Sequence, residues 1–129
     1  WCWDASPFQV TDETKAMVTN NICYLLNNFL KCSAYESIIF CWVMHEQSII
    51  NSILEKLDTQ NCEVKCVSLI ADENTLRERL SADIEKGIRS EDVIERSIAK
   101  IPMYQALGTI KIDTKGKAVA VIANEIKRL

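Results

Sequence analysis

The spacing of apolar and polar positions divides the chain into alternating helices and strands. Thr11 is suited to cap a helix over Asp12 to about Leu30, because apolar residues then recur at helical spacing. One face of that helix carries Val18, Ile22, Leu25, Leu26 and Phe29. The run SIIFCWV, residues 37–43, is continuously apolar and rich in β-branched and aromatic residues, which predicts a central parallel strand buried on both faces.

The middle of the chain continues the alternation. Residues 45–61 (HEQSIINSILEKLDTQN) predict a helix with one apolar stripe, formed by Ile49, Ile50, Ile53, Leu54 and Leu57. Residues 62–71 (CEVKCVSLIA) predict a second strand, and Asp72 is placed to cap the helix over residues 73–86. Gly87 follows that helix as a residue suited to its C-terminal end.

The last third predicts two more helices and one more strand. Ser90 is suited to cap a helix that Pro102 bends or ends. TIKID, residues 109–113, then predicts a third strand, and residues 117–129 predict a closing helix. Alternation of apolar strands with helices indicates an α/β fold, a three-layer αβα arrangement with a parallel sheet, in a single domain over residues 1–129. Three strands make a thin sheet and the chain starts without Met, so we expect the fold to be incomplete at its N-terminus.

Composition and charge narrow the class of partner. The 48% apolar content is enough for one core, and the net charge of −3 with no local basic patch predicts no nucleic-acid partner. No apolar run is long enough to cross a membrane, so we expect a soluble, cytoplasmic protein. The six cysteines allow three disulfides, but free thiols in a reducing compartment are favoured. With Cys62 and Cys66 at C-x3-C spacing and His45 as the single histidine, we expect no metal site.

Candidate chemistry lies in the loops that follow the predicted strands, because ligands of open parallel sheets bind at the carboxyl ends of the strands. Those loops are VMHEQ, ADENT and DTKGK. Arg77 and Arg79 follow the second loop, and spacing alone allows them to be surface partners of Glu73 and Asp83. His45 in the first loop is either an acid, base or substrate contact or a structural residue.

Two glycine-containing segments carry further alternatives. GIRSEDVIER, from Gly87 to Arg96, is either a mobile flap with a charged tip or a solvated helix hairpin. Gly116 in IDTKGK permits close approach of a flat ligand, although a plain turn has the same pattern. Asp4 is a carboxylate among aromatic residues with no local partner that defines its role.

Four segments in register resemble the later two-thirds of small P-loop kinases of the adenylate and shikimate kinase type. The chain looks most like the bacterial nucleoside-kinase-like ATPases that include tunicamycin-resistance-type proteins. The resemblance covers roughly residues 4–127 and rests on IIFCWVMHEQSIINSILEKL, VSLIADENTLRERL, GIRSEDVIERSI and TIKIDTKGKAVAVIANEI. It implies ATP with Mg²⁺ as cofactor, and a nucleotide and a small-molecule acceptor as partners.

The resemblance also implies roles for particular residues. Arg79 would pack on the adenine, and the backbone of a turn would face the base, namely Thr114, Lys115, Gly116 and Lys117. A lid-like helical segment at about residues 84–103 would bring Arg89 and Arg96 to the phosphates as catalytic groups.

The acceptor-binding region of the family corresponds to residues near the start of the chain and at the first predicted loop. Asp4, Phe8 and His45 would bind the substrate there, with Trp3 in the same region. The acceptor itself and the oligomeric state are left open by the sequence.

Two departures from the family pattern bear on activity. Asp83 stands where many relatives have a further arginine, and no G-x4-G-K-[ST] occurs in the 129 residues. The leading hypothesis is that the chain is part of an ATP-dependent small-molecule phosphotransferase. The alternative is a non-catalytic α/β module that lacks the P-loop and binds a nucleotide or a partner, and an α/β domain of another family is a third possibility.

Overall fold

Helix α1, Asp12–Leu30, begins at the predicted cap in the computed structural model, which describes residues 9–129. The Thr11 hydroxyl accepts a hydrogen bond from the Thr14 backbone N–H at 3.1 Å. In return, the Thr14 hydroxyl oxygen accepts one from the Thr11 backbone N–H at 2.9 Å. Both N–H groups lack a partner in a bare helix end, so the reciprocal cap decides where the helix starts. The predicted cap and helix bounds are confirmed.

The described residues form two units, and the first comprises residues 9–44 and 48–64. Its core joins α1 to helix α2, Gln47–Leu54, through a buried cluster made by Val18, Ile22, Cys23, Leu26 and Ile53. Cys23 serves there as a small apolar residue, and burial raises the pKa of its thiol. The Asn27 side chain ties α1 to the turn after α2, since it donates to Lys56 O and accepts from the Asp58 N–H, each at 2.9 Å.

The predicted strand over residues 37–43 is wrong, because the structure has no strand there. Ile38 and Trp42 pack against the buried cluster of α1 and α2, whereas the side chains of Ile39 and Val43 are 91% and 62% exposed. A β-strand needs a neighbouring strand to which its backbone is hydrogen-bonded. This segment instead packs one of its sides against the helices. Apolar composition therefore marked a packing segment and not a sheet element.

The second unit, residues 45–47 and 65–129, contains a parallel sheet of two strands, the only ones in the described part of the chain. Strand β1 is Val67–Ile70, strand β2 is Ile110–Asp113, and Val67 pairs with Ile110. Both lie within predicted strands and confirm them at shorter length. The mixture of helices and parallel strands fits the α/β class, while the three-layer arrangement stays a prediction.

Four helices accompany this sheet: α3 (Glu73–Glu85), α4 (Val93–Ile98), α5 (Ile101–Ala106) and α6 (Val119–Lys127). Asp72 caps α3 as predicted, accepting from the Thr75 N–H at 2.8 Å. Gly87, just after α3, has φ of 68°, a left-handed conformation that glycine adopts without steric cost. Across residues 9–129, none of the helices combines the length and apolar content needed to cross a bilayer.

The helix predicted between Ser90 and Pro102 is confirmed at shorter length, but its predicted cap and its predicted end are wrong. Asp92 occupies the N-cap of α4, and the Ser90 hydroxyl donates to the Asp92 carboxylate instead of capping the backbone. The helix ends at Ile98, and Pro102 lies in the first turn of α5. Proline is accepted at that position because the N–H it lacks would have no helical partner there.

The buried cluster of the first unit predicts a strong effect of truncation. Ile22 is 2% exposed, whereas Tyr24, two residues along the same helix, is 71% exposed. We expect Ile22→Ala to lower the free energy of unfolding by about 2–5 kcal/mol, because it removes buried methylene groups and leaves a cavity. Tyr24→Ala should change it by no more than about 0.5 kcal/mol. Urea unfolding of both variants measures the difference, and equal effects would contradict this core.

Candidate functional site

The carboxyl ends of β1 and β2 lie side by side because the strands are parallel, and Thr114 joins them. The Thr114 backbone N–H donates to Ile70 O at 2.9 Å, and its hydroxyl donates to the same oxygen at 3.0 Å. Thr114 is 5% exposed, so these polar groups are withdrawn from water and depend on each other. The residue after β2 is therefore locked to the last residue of β1.

Arg79, on α3, binds Thr114 through two nitrogens of its guanidinium group. Nη1 donates to the Thr114 hydroxyl oxygen at 2.8 Å and Nη2 donates to the Thr114 carbonyl at 2.8 Å. The alternative in which Arg79 is a surface partner of Asp83 is wrong, because Asp83 pairs with Arg89. Two residues that the sequence assigned to one site thus meet in the structure, 35 positions apart in the chain.

An ion pair connects the two loops that follow the strands. Lys115 Nζ lies 2.5 Å from Asp72 Oδ2, while the Asp113 carboxylate accepts from the Lys115 backbone N–H at 2.9 Å. The hydrogen bond from Lys115, helped by that from Thr75, holds the pKa of the Asp72 carboxyl well below its usual range. The same ion pair raises the pKa of Lys115. Both groups are therefore charged at neutral pH, and the ion pair spans the carboxyl edge of the sheet.

The turn after β2 is closed by a backbone hydrogen bond, and the space beside its glycine is open. The Lys117 N–H donates to Thr114 O at 3.3 Å, which closes a four-residue turn. Gly116 has φ of +65°, and a Cβ added there would meet no atom within 4 Å. The backbone conformation therefore favours glycine, and the space beside it is open. Lys117 Nζ is held 2.8 Å from the Glu125 carboxylate on α6.

The two predicted lid arginines pair with carboxylates of their own segment. Arg89 Nε lies 3.2 Å from Asp83 Oδ2, and Arg96 Nη1 lies 3.1 Å from Asp92 Oδ2. The guanidinium groups are about half exposed or more, at 51% and 62%. No hydrogen bond between these arginines and Thr114–Lys117 is among those of the described residues, so their predicted meeting with phosphate remains a prediction.

Arg77 makes one more ion pair than its spacing from Glu73 predicts. It donates to Glu73 at 2.9 Å, as its spacing allowed, and also to Glu95 on α4 at 2.9 Å. Sequence reasoning missed Glu95 because it lies 18 positions away and carries no local signal. Arg77 therefore links α3 to α4.

The predicted acceptor residues are not brought to the strand-end site by any described contact. His45 Nε2 lies 3.6 Å from Glu46 Oε1, and its Nδ1 is buried without a hydrogen-bond partner among residues 9–129. Asp4 and Phe8, with Trp3, lie outside the described residues. Within the described part of the chain, no three metal-ligating side chains come together.

Asp72 was predicted only as a helix cap, and its partner Lys115 only through its backbone, as part of the turn that would face the base. The missed ion pair had a signal in the sequence, since each charge follows one of two strands that were both predicted. Adjacent parallel strands bring such residues to the same edge. The pairing of the strands was the missing information, because no local pattern says which strands are neighbours.

The lowered pKa of Asp72 predicts a pH dependence of stability. A carboxyl whose pKa is lower in the folded state stabilises the fold above its unfolded pKa of about 3.9, and this contribution is lost as pH falls through the folded pKa. We expect Asp72→Asn to be less stable than the native chain at pH 7, with the difference shrinking below about pH 4. Urea unfolding at pH 7 and at pH 3 measures it. The exposed Glu91→Gln is the control, and an Asp72→Asn deficit that is independent of pH would contradict the ion pair.

Comparison with known proteins gives one family match. Residues 1–99 match the sequence model of a family described as "AAA domain". Comparison with curated proteins and with solved structures gives no significant match. The match covers most of the chain, and the mixture of helices with a small parallel sheet is compatible with such a fold. The chain therefore belongs to the AAA domain family, a P-loop NTPase and kinase-like family of nucleotide-binding modules.

Proposed function

We propose that the chain forms the base pocket and the lid of an ATP-dependent small-molecule phosphotransferase. Among P-loop kinases, the chain would belong to the adenylate and shikimate kinase type. Within that type it would resemble the nucleoside-kinase-like ATPases of the tunicamycin-resistance type. One observation carries the proposal: Arg79 donates two hydrogen bonds to Thr114. The family resemblance independently assigns both residues to an adenine site, and family membership makes nucleotide the expected ligand.

The base would lie against the Arg79 guanidinium and the turn Thr114–Lys117. Two in-plane hydrogen bonds hold the guanidinium plane in one orientation, and such a plane stacks on a flat aromatic ring. The open side of Gly116 lets the base approach the backbone closely, where N–H and C=O groups read its edge. Lys115 and Lys117 add positive charge beside the turn, although each is paired with a carboxylate.

Arg89 and Arg96 would act on the phosphates, on a lid at about residues 84–103. Both guanidinium groups are exposed enough to reach a ligand, and such groups stabilise the charge of a transferring phosphoryl group. ATP would bind with Mg²⁺, an ion that is usually held by one or two carboxylates together with the phosphates of the nucleotide. When bound, it neutralises phosphate charge. His45, with Asp4 and Phe8, is proposed to bind the acceptor, and residues 1–129 are proposed to form one α/β domain.

A second candidate is a non-catalytic module that binds nucleotide without transferring phosphate. It is favoured by the sequence itself, since no G-x4-G-K-[ST] occurs in the 129 residues and that loop binds most of a triphosphate in P-loop enzymes. The two candidates share the base pocket. They differ in turnover, because only the phosphotransferase would consume ATP.

The base pocket predicts that Arg79 matters more for nucleotide binding than Arg77. Lysine keeps the charge but has no planar fork to bridge the two oxygens of Thr114. We expect Arg79→Lys to weaken binding of MgADP by about tenfold, measured by isothermal titration calorimetry. Arg77→Lys, two residues before Arg79 on the same helix and also in ion pairs, is the matched control and should change the dissociation constant by less than about twofold. Equal effects would count against the pocket, and no binding by the native chain would refute it.

The lid predicts a separation between binding and turnover. Arg89→Ala should lower kcat for MgATP consumption by about 10²–10³-fold while changing the ADP dissociation constant by only a few-fold, because its contact would form with the transferring group. Lys86→Ala removes a nearby exposed cation of the same segment and should leave both values near native. An unchanged kcat in Arg89→Ala excludes its catalytic role. Nucleotide binding by the native chain without turnover, across a panel of hydroxyl acceptors, favours the non-catalytic module.

A further inference from the structure

Residues 83–96, termed here the arginine segment, hold both exposed arginines in ion pairs within the segment. Arg89 is paired with Asp83 at 3.2 Å and Arg96 with Asp92 at 3.1 Å. The four side chains are between 36% and 62% exposed, so both pairs face water. Neither arginine is therefore held by a buried network.

The charge of the arginine segment is unfavourable for a polyanion as it stands. Its carboxylates outnumber its cations, which are Lys86, Arg89 and Arg96, whereas the carboxylates are those of Asp83, Glu85, Glu91, Asp92 and Glu95. A polyphosphate that approaches this surface meets arginines whose charge is already neutralised by a neighbour. Binding therefore requires that the arginines change partner.

We infer that Asp83 and Asp92 occupy the places of phosphate oxygens on Arg89 and Arg96, and that a polyphosphate displaces both carboxylates when it binds the arginine segment. These aspartates thus oppose polyphosphate binding and set its affinity. The inference deepens the proposed function, because the polyphosphate there is the nucleotide's. It adds a role for two acidic residues on which family membership is silent.

The exchange is physically accessible because exposed ion pairs are weak. Such a pair contributes little net free energy, since water screens the charges and two long side chains lose freedom. A phosphate group offers more charge and several oxygens to one guanidinium, which makes stronger, bidentate hydrogen bonds. After Arg96 leaves, the Asp92 carboxylate keeps the hydrogen bond from the Ser90 hydroxyl. Loss of the contact with Arg96 therefore does not leave the Asp92 carboxylate without a hydrogen-bond donor.

Arg77 provides the contrast within the same region. It is bonded to two carboxylates, Glu73 and Glu95, each at 2.9 Å, and one of these lies on each of two packed helices. Displacing Arg77 would break both of these ion pairs at once, so Arg77 is expected to keep its partners. It then continues to link α4 to α3 while Arg89 and Arg96 change partners. The exchange then needs only side-chain motion.

The test compares two variants that remove the same charge. Asp83→Asn frees Arg89, whereas Glu91→Gln neutralises an exposed carboxylate of the same segment that has no ion pair among the described residues. Inorganic triphosphate is the probe, and isothermal titration calorimetry of the native chain and both variants at low salt gives the dissociation constants. We expect Asp83→Asn to bind about two- to five-fold more tightly than Glu91→Gln. The double variant Asp83→Asn, Asp92→Asn should gain by about the product of the single effects.

A further variant assigns the gain to Arg89. In an Arg89→Ala background, Asp83→Asn should give no gain beyond that of Glu91→Gln, because no guanidinium is left to release. Equal tightening by Asp83→Asn and Glu91→Gln would mean that net charge alone acts, and it would overturn the inference. Absence of triphosphate binding in all variants would overturn it as well. Thermal unfolding followed by circular dichroism verifies that each variant is folded.

The outcome is separable from that of the proposed function. The base pocket is tested by the Arg79 dependence of ADP binding, which does not involve the arginine segment. A gain for Asp83→Asn without Arg79-dependent ADP binding keeps the exchange and rejects the pocket. The opposite pattern keeps the pocket and rejects the exchange.

Discussion

The contact between Arg79 and Thr114 organises the candidate site. Thr114 is almost fully buried, and its hydroxyl and carbonyl oxygens have exchanged water for the guanidinium of Arg79. The hydroxyl has one proton, which it gives to Ile70 O, so the oxygen is left to accept from Arg79. This chain of hydrogen bonds joins α3, the end of β2 and the end of β1. Removing the arginine would leave the buried hydroxyl oxygen without a donor, at a cost of about 1–3 kcal/mol, whereas the carbonyl would keep the hydrogen bond from the Lys117 N–H.

The ion pairs around this contact differ from it in burial, and burial decides which of them can change. Lys115 and Asp72 are about half exposed and linked across the strand ends, where they hold the loops in position while remaining accessible to water. The pairs of Arg89 and Arg96 are also exposed, and each joins a side chain to a carboxylate of the same segment. Exposed pairs of this kind contribute little net free energy, because water screens the charges. The strand-end turn is thus fixed by buried hydrogen bonds, whereas the charged segment is held only by exposed ion pairs.

Much of the secondary structure followed from the sequence, and the exceptions have physical causes. The start of α1 at Thr11 and of α3 at Asp72 was predictable because a cap is completed within three residues. Residues 37–43 were assigned wrongly because an apolar run shows that a segment is covered, but not by what. Ser90 also has a capping side chain, yet its hydroxyl bonds to Asp92, two residues away. In both cases the residue type is compatible with two different partners, and the sequence alone does not say which of them the residue contacts.

In the candidate site, too, some features could be predicted from the sequence and others depend on the tertiary structure. Gly116 was predictable as a turn residue, and its positive φ agrees with the backbone that a glycine there indicates. Arg79 and Thr114 were individually assigned to the base pocket through the family resemblance. Their hydrogen bonds, and the ion pair between Asp72 and Lys115, depend on β1 and β2 being parallel neighbours. Caps, turns and helix faces are local and can be read from neighbouring residues. Contacts between side chains 35 or 43 positions apart exist only once strand pairing has brought the loops together, so the tertiary structure alone decided them.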